Sequence, residues 1–340
     1  MKISLVMPGG TAKRTGNHHT AQRWAHFLRQ SGHRVAIAEK WDGSPVDLLI
    51  ALHARKSAAS VGEFHRLHAN RPLILALTGT DLYRDIESSG EAQAALEMAT
   101  RLVVLQPRGR DRLARHLRAK TRVIYQSSDT RLKHRPAGKG FRIVVVGNLR
   151  DEKDPFRAAI ALAHLPLRPD IEVVQVGASL SVEMGTAAKS FVARDARYQW
   201  VGSLPHAAAL RRMAGSDLLV VSSVMEGGAN VICEAARMGL PVLASRISGN
   251  VGMLGADYAG YFKLHDDRRL ARLIARASSE PAFYAGLRRA VLARRDLFAP
   301  AAERAGLDAL VAEFANVPAA LRIRPRPSTG RPTRRTPSVR

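Results

Sequence analysis

Apolar residues in this chain come in short dense runs, and the stretches between the runs carry helical spacing. In the first part the runs are Lys2–Met7, Val35–Ala38, Asp47–Leu52, Leu73–Leu77, Leu102–Leu105 and Val123–Tyr125. Apolar on both faces rather than alternating, they read as strands buried inside a parallel sheet. Thr20–Ser31, Ala58–Ala69, Glu91–Ala99 and Gly109–Leu117 read as helices between them, the first closed by Gly32. Strand and helix in regular alternation predict a doubly wound parallel sheet.

The stretch Arg135-Pro136-Ala137-Gly138-Lys139-Gly140 interrupts the pattern like a linker, and the alternation then restarts. Strands are expected at Arg142–Val146, Glu172–Val176, Tyr198–Val201, Leu218–Val221, Val242–Ser245 and Gly260–Phe262. Helices fit at Pro155–His164, Ser181–Ala193, His206–Ala214, from Ala229 or Asn230 to Gly239, and at Arg268–Ser279, Pro281–Leu297 and Ala301–Phe314. The expected fold is therefore α/β, with two doubly wound parallel-sheet (Rossmann-like) domains facing across a cleft. Their expected bounds are 1–137 for the first domain and 138–298 for the second. A helix over 299–316 is expected to pack back on the first domain, followed by a basic tail over 317–340.

A length of 340 residues lets each domain bury its own core, and 46% apolar with 24% charged residues is ordinary for a soluble protein. Aromatics at 5% argue against a platform that stacks single-stranded bases. The single cysteine, Cys233, excludes internal disulfides and cysteine-rich metal sites and fits a reducing, cytoplasmic setting; it reads as a small core filler. No run approaches the ~18 apolar residues of a membrane span. The net charge of +24 raises the question of nucleic acid or an anionic surface. Seven arginines of that excess lie in Val317–Arg340, which has five prolines and no acidic residue and is expected to be disordered. The remainder reflects composition bias or steers an anionic substrate.

Candidate chemistry concentrates at Met225-Glu226-Gly227-Gly228-Ala229-Asn230-Val231-Ile232-Cys233-Glu234. Here a buried strand ends, two glycines let the chain turn, and a helix opens whose free N–H groups favour an anion. Glu226 and Glu234 flank that N-terminus and can accept hydrogen bonds from sugar hydroxyls, which together suits a nucleotide-sugar. Gly147-Asn148-Leu149-Arg150-Asp151-Glu152-Lys153-Asp154-Pro155 ends another strand. With Asp154 as N-cap and Pro155 at the first helical position, Arg150 and Lys153 would stand beside a helix start, suited to a diphosphate. In the first domain Thr78-Gly79-Thr80-Asp81 and His53 end strands, and the loop Pro8–Asn17 carries Gly9, Gly10, Lys13, Arg14 and Gly16. Each of these also has a plain structural reading: a helix cap, a core histidine, a surface loop. No P-loop, G-x-G-x-x-G, G-x-S-x-G, HExxH or paired D-x-D element occurs, so NTPase, classical dehydrogenase, serine hydrolase and zinc hydrolase readings fall away and no metal is expected.

The series from Gly147-Asn148-Leu149…Lys153 through Trp200–His206, Ser216-Asp217-Leu218, Ser222-Ser223, Glu226-x7-Glu234-Ala235 and Gly239-Leu240-Pro241-Val242 resembles the donor domain of retaining family 4 glycosyltransferases of the GT-B fold. That resemblance implies that Glu234 binds the ribose, Glu226 the donor sugar and Lys153 the diphosphate. Gly227, Gly228, Ala229 and Asn230 would support sugar and diphosphate, and the Val201–Leu204 loop, with Gly202 and Leu204, would lie near the base. The family has arginine where this chain has Asn148, with Arg150 available to supply the charge, and His-Gly where it has Thr78-Gly79.

Across its first half the chain is similar to a narrower group, the selenosugar synthases of selenoneine biosynthesis. The similarity lies in Leu75–Asp85, in Gly16-Asn17, in Ala51-Leu52-His53-Ala54-Arg55-Lys56-Ser57, in Leu102–Pro107 and in Val123–Ser127. It implies a UDP-sugar donor, UDP-N-acetylglucosamine, and selenophosphate as acceptor, with no cofactor. Gly16, Asn17, His53, Thr78, Gly79, Thr80, Asp81 and Arg84 become acceptor-side residues. A selenophosphate selenium is already anionic and needs no general base, so catalysis would rest on the leaving diphosphate and on cationic walls, with Lys13, Arg14, Arg55, Lys56 and Arg84 as candidates. The alternatives are transfer to a hydroxyl of a lipid or polysaccharide intermediate and, from another class, nucleic-acid binding through the tail; no nucleic-acid partner is expected.

Overall fold

The computed structural model describes residues 1–9, 16–136, 138, 140–166 and 168–314. The loop segment holding Gly10, Lys13 and Arg14 and the tail over 317–340 lie outside the described residues. Two six-stranded sheets carry the chain, and every pairing in both is parallel. The first has the order β2-β1-β3-β4-β5-β6, built from Lys2–Val6 (β1), Arg34–Ala38 (β2), Leu48–Leu52 (β3), Leu73–Leu77 (β4), Arg101–Val104 (β5) and Thr121–Val123 (β6). The second runs β12-β11-β10-β7-β8-β9, from Phe141–Val146 (β7), Ile171–Val176 (β8), Tyr198–Trp200 (β9), Leu218–Val221 (β10), Val242–Ser245 (β11) and Tyr261–Phe262 (β12).

The doubly wound arrangement follows from the strands themselves. Along β3, Leu49 and Ala51 enter one core cluster while Leu48, Ile50 and Leu52 enter another on the opposite face. A strand with a two-residue period can feed two cores only if helices cover both faces of its sheet. One face takes the Gly16–Gln30 helix with Trp24 and Leu28; the other takes Ala58–Leu67 and Gly90–Met98 with Phe64 and Leu96. The second domain closes around a single cluster running from Ile143 to Phe298.

The last described helix, Pro300–Ala312, does not stay with the second domain. Leu307, Leu310, Val311 and Phe314 complete the first domain's core. Glu303, 1% exposed, anchors it by accepting from Arg23 Nε at 2.6 Å, Trp24 Nε1 at 2.8 Å and Ser127 N at 2.8 Å. The chain thus passes between domains near Ser128 and again near Phe298, and the two passages are bonded, Ser128 N to Phe298 O at 3.1 Å. Where the expected linker begins the chain already lies on the second domain, with His134 N on Met238 O and Arg135 N on Ala214 O.

Local departures from expectation have visible causes. Gly109–Leu117 is not one helix: Pro107–Arg112 forms a 3-10 turn and a helix follows at Arg115–Ala119. Gly109 is pressed into the core there, where a Cβ would meet Val104 Cβ at 3.0 Å. The Pro281–Leu292 helix ends short of Leu297, and Arg294 beyond it reaches Met253 O at 3.0 Å. Asp154 is no N-cap: it is left-handed (φ 42°) after a 3-10 turn at Asp151–Lys153, and the helix starts later, at Arg157–Leu162. Its carboxylate instead binds Arg157 Nε at 2.8 Å.

Candidate functional site

Strand β10 is buried along its whole length and delivers the chain to Ser222–Ala229 at the carboxyl edge of the second sheet. The helix then opens at Asn230, with Ala229 in extended conformation before it, and closes at Gly239 in the left-handed region (φ 80°). Gly227 and Gly228 have ordinary backbone angles; a positive φ is not why they are glycine. The reason is close approach. A Cβ on Gly227 would meet the Thr78 carbonyl and would lie 2.7 Å from Gly79 N. One on Gly228 would lie 2.8 Å from Leu105 Cβ and 3.4 Å from Gln126 Oε1.

In the second domain Lys153 Nζ is ion-paired with Glu226 Oε1, and Ser223 Oγ donates to the same carboxylate oxygen at 2.7 Å. Glu226 is 9% exposed. The turn carrying Lys153 is held by that same loop: Ser222 Oγ donates to Asp154 O at 2.7 Å and Val224 N to Glu152 O at 2.9 Å. A pocket follows, lined by Gly147, Lys153, Gln175, Ser222, Ser223 and Glu226 among others. Arg150 is exposed, 3.9 Å from Glu152 Oε2, and does not line that pocket. Asn148 is exposed too, and its Oδ1 accepts from Ala178 N at 3.2 Å, tying two strand-end loops together. Gly202 is left-handed (φ 70°), and half-buried Leu204 packs on the second core. Glu234 Oε1 accepts from His206 Nε2 at 2.8 Å; that bond raises the His206 imidazole above its ordinary pKa, with burial opposing.

On the other side Asp81 is fully buried and belongs to the turn rather than to open space. Its carboxylate accepts from Thr78 N at 3.0 Å, Gly79 N at 2.8 Å and Ala54 N at 3.0 Å. His53 sits in the left-handed region (φ 72°), 2% exposed, with Nε2 3.1 Å from Thr80 Oγ1 and 3.7 Å from Asp85 Oδ2. Burial pushes its pKa down, against the charges of Asp81 and Asp85. Arg55 pairs with Asp85 at 3.0 Å. Arg84 Nη1 reaches across to Glu152 Oε1 at 3.1 Å, an ion pair between domains. Gly16 and Asn17 open the first long helix, and Thr20 Oγ1 donates to Gly16 O at 3.0 Å.

The two sides therefore meet: Thr78–Gly79 on Gly227, Leu105 and Gln126 on Gly228, Arg84 on Glu152. Several contacting residues have no assignment from the sequence. Gln106 presses on Gly252, Tyr125 Oη donates to Gly252 O at 3.1 Å, and Gln126 Nε2 donates to Thr20 Oγ1. His19 in the first domain and His206 in the second have ring centroids 5.8 Å apart. Glutamines ending strand-like runs, at Leu105-Gln106 and Tyr125-Gln126, were the available signal. Cys233 is inert core, its thiol raised by burial and donating to Gln126 O. Among the described residues no group of three or more His, Cys, Asp or Glu is arranged to hold a metal, and no helix is long and apolar enough to cross a membrane.

Residues 126–292 match the family described as glycosyl transferases group 1. Among solved structures, the chain is similar to HepE of Anabaena in complex with UDP and glucose, at 17% identity and a TM-score of 0.74, over 92% of this chain and 100% of that one. It is also similar to sucrose-phosphate synthase of Thermosynechococcus elongatus, at 17% identity and 0.76, over 92% and 98%. A glycosyltransferase of Rickettsia africae matches at 15% and 0.72, over 93% and 99%. The fold is GT-B.

Proposed function

We propose that this chain, whose residues 126–292 form a group 1 glycosyl transferase domain, moves a sugar from a UDP-sugar to selenophosphate and so makes a carbon–selenium bond. N-acetylglucosamine is the sugar in this reading, and the product is a 1-seleno sugar for selenoneine biosynthesis. Solved structures of the same fold hold UDP, and UDP-glucose in one case, which supports a UDP-sugar as donor. The observation that carries the reading is the approach of Thr78–Gly79 to Gly227, beside the Lys153–Glu226 pair. It puts the edge that would receive a sugar against the loop that would hold one.

In this mechanism Glu234 accepts from the ribose hydroxyls, the loop of Gly202 and Leu204 flanks the base, Glu226 holds the sugar, and Asn148 stands in the loop that faces the diphosphate. Lys153 leaves Glu226 for the diphosphate, with Arg150 and the Gly227–Asn230 amides beside it. Selenium attacks the anomeric carbon, the bond from that carbon to the diphosphate oxygen breaks, and UDP departs with the electron pair. Water then cleaves the phosphorus–selenium bond, releasing phosphate and the selenolate. Lys153, Arg150 and the amides stabilise charge that grows only as UDP leaves, which is where stabilisation accelerates a reaction. Arg55 and Arg84 offset the acceptor's charge, near Gly16, Asn17, His53, Thr78 and Thr80. Asp81 contributes by fixing the turn.

The test is incubation with UDP-N-acetylglucosamine, with and without selenophosphate, following UDP release and the mass of any selenium-containing sugar. Selenophosphate-dependent UDP release with that product is expected. Release that needs a hydroxyl acceptor instead would identify a conventional transferase and overturn the selenium reading.

A further inference from the structure

His206 opens the His206–Ala214 helix, with its imidazole between two parts of the molecule. On one side Nε2 donates to Glu234 Oε1 at 2.8 Å; on the other the His19 ring of the first domain lies 5.8 Å away, tilted by 36°. Glu234 is 8% exposed and stands in the second turn of the Asn230–Met238 helix, so few orientations of its carboxylate leave an oxygen facing outward. A carboxylate that must meet a vicinal diol gains from being held before the ligand arrives, because ordering it then costs no affinity. One oxygen bonded to an imidazole, with no hydrogen bond to the other among the described residues, is such a state.

We propose that His206 is a positioning residue for the nucleotide ribose: it holds Oε1 of Glu234 so that Oε2 accepts from the ribose hydroxyls. The His19 ring lies on the other side of the imidazole, 5.8 Å away. The inference rests on the reading of Glu234 as the ribose-binding carboxylate. It adds that the carboxylate is competent only while His206 holds it.

Calorimetric titration with UDP and with 2′,3′-dideoxy-UDP tests it, on His206→Ala, His206→Gln and Glu234→Gln. For UDP, His206→Ala is expected to weaken binding about tenfold, the worth of one hydrogen bond to a charged group, and His206→Gln to restore most of that. For 2′,3′-dideoxy-UDP the same variants are expected to match the parent protein, since the diol is absent. A merely structural role for His206 would weaken both ligands alike, and that result, or no weakening of UDP, overturns the proposal. If Glu234→Gln weakens UDP while His206→Ala does not, the positioning role fails and the ribose reading stands. Unchanged UDP binding in Glu234→Gln removes both.

Discussion

Gly227 lies against the peptide joining Thr78 to Gly79, so closely that a single added carbon would sit 2.7 Å from Gly79 N. Backbone meets backbone there, and neither partner has a flexible end that can swing away. The carboxylate of Asp81 stiffens the contact by gripping the amides of both Thr78 and Gly79. The Gly227 loop and the Thr78–Gly79 turn are thus fitted to each other through main-chain atoms.

Gly227→Ala should therefore separate the domains locally while leaving each of them folded. A loss of turnover of about 100-fold is expected, as for misplacement by about 1 Å. Circular dichroism should match the parent protein. Turnover within twofold of the parent would mean that the contact is not part of the working state.

Lys153 is expected to act when charge develops. Lys153→Ala should lower turnover by about 100-fold or more, the scale for removing a donor aimed at a developing anion. Glu234→Ala should chiefly weaken the nucleotide. Steady-state kinetics with UDP titration separates the two, and equal turnover in Lys153→Ala and the parent would dismiss the leaving-group role.

Glu303 is a buried anion with Arg23 and Trp24 as partners. Glu303→Ala leaves Arg23 without its partner and cuts the last helix loose from Ser127. Breaking a buried pair in this way costs about 3 kcal/mol or more. Urea unfolding should show the loss, first in the intrinsic fluorescence of Trp24, which lies in the first domain's core.

His53 predicts a pH effect on stability. Burial holds its pKa below the ordinary 6.5. Between the two values the unfolded chain binds the extra proton, so stability is full above the unfolded pKa and falls as pH drops toward the folded one. His33, His68 and His134 are lowered by burial as well, so acid sensitivity is shared. His53→Asn, which tolerates the left-handed backbone, should flatten part of the fall in melting temperature between pH 7 and 5. An unchanged slope would assign the effect to the other three.

Much of the fold was legible because buried parallel strands are apolar on both faces. Runs such as Leu48–Leu52 and Leu218–Val221 have few other homes. The glycine pair was legible as a landmark but not in its cause, since a sequence records no contact from another domain. Likewise Asp81 carries the same carboxyl whether it binds a sugar or three amides; only burial separates those uses. His206 was invisible as an individual for the same reason, its partner Glu234 standing on a different helix.

The passage of Pro300–Ala312 back to the first domain bears on how the protein is made. Leu307, Leu310, Val311 and Phe314 are core residues of that domain yet are the last described residues to be synthesised. The amino-terminal sheet leaves the ribosome early and then waits, with the Gly16–Gln30 helix alone on one face and the core there incomplete, through the synthesis of the whole second domain. The second domain has its complete core once Phe298 has emerged. The half of the molecule translated first is therefore finished last.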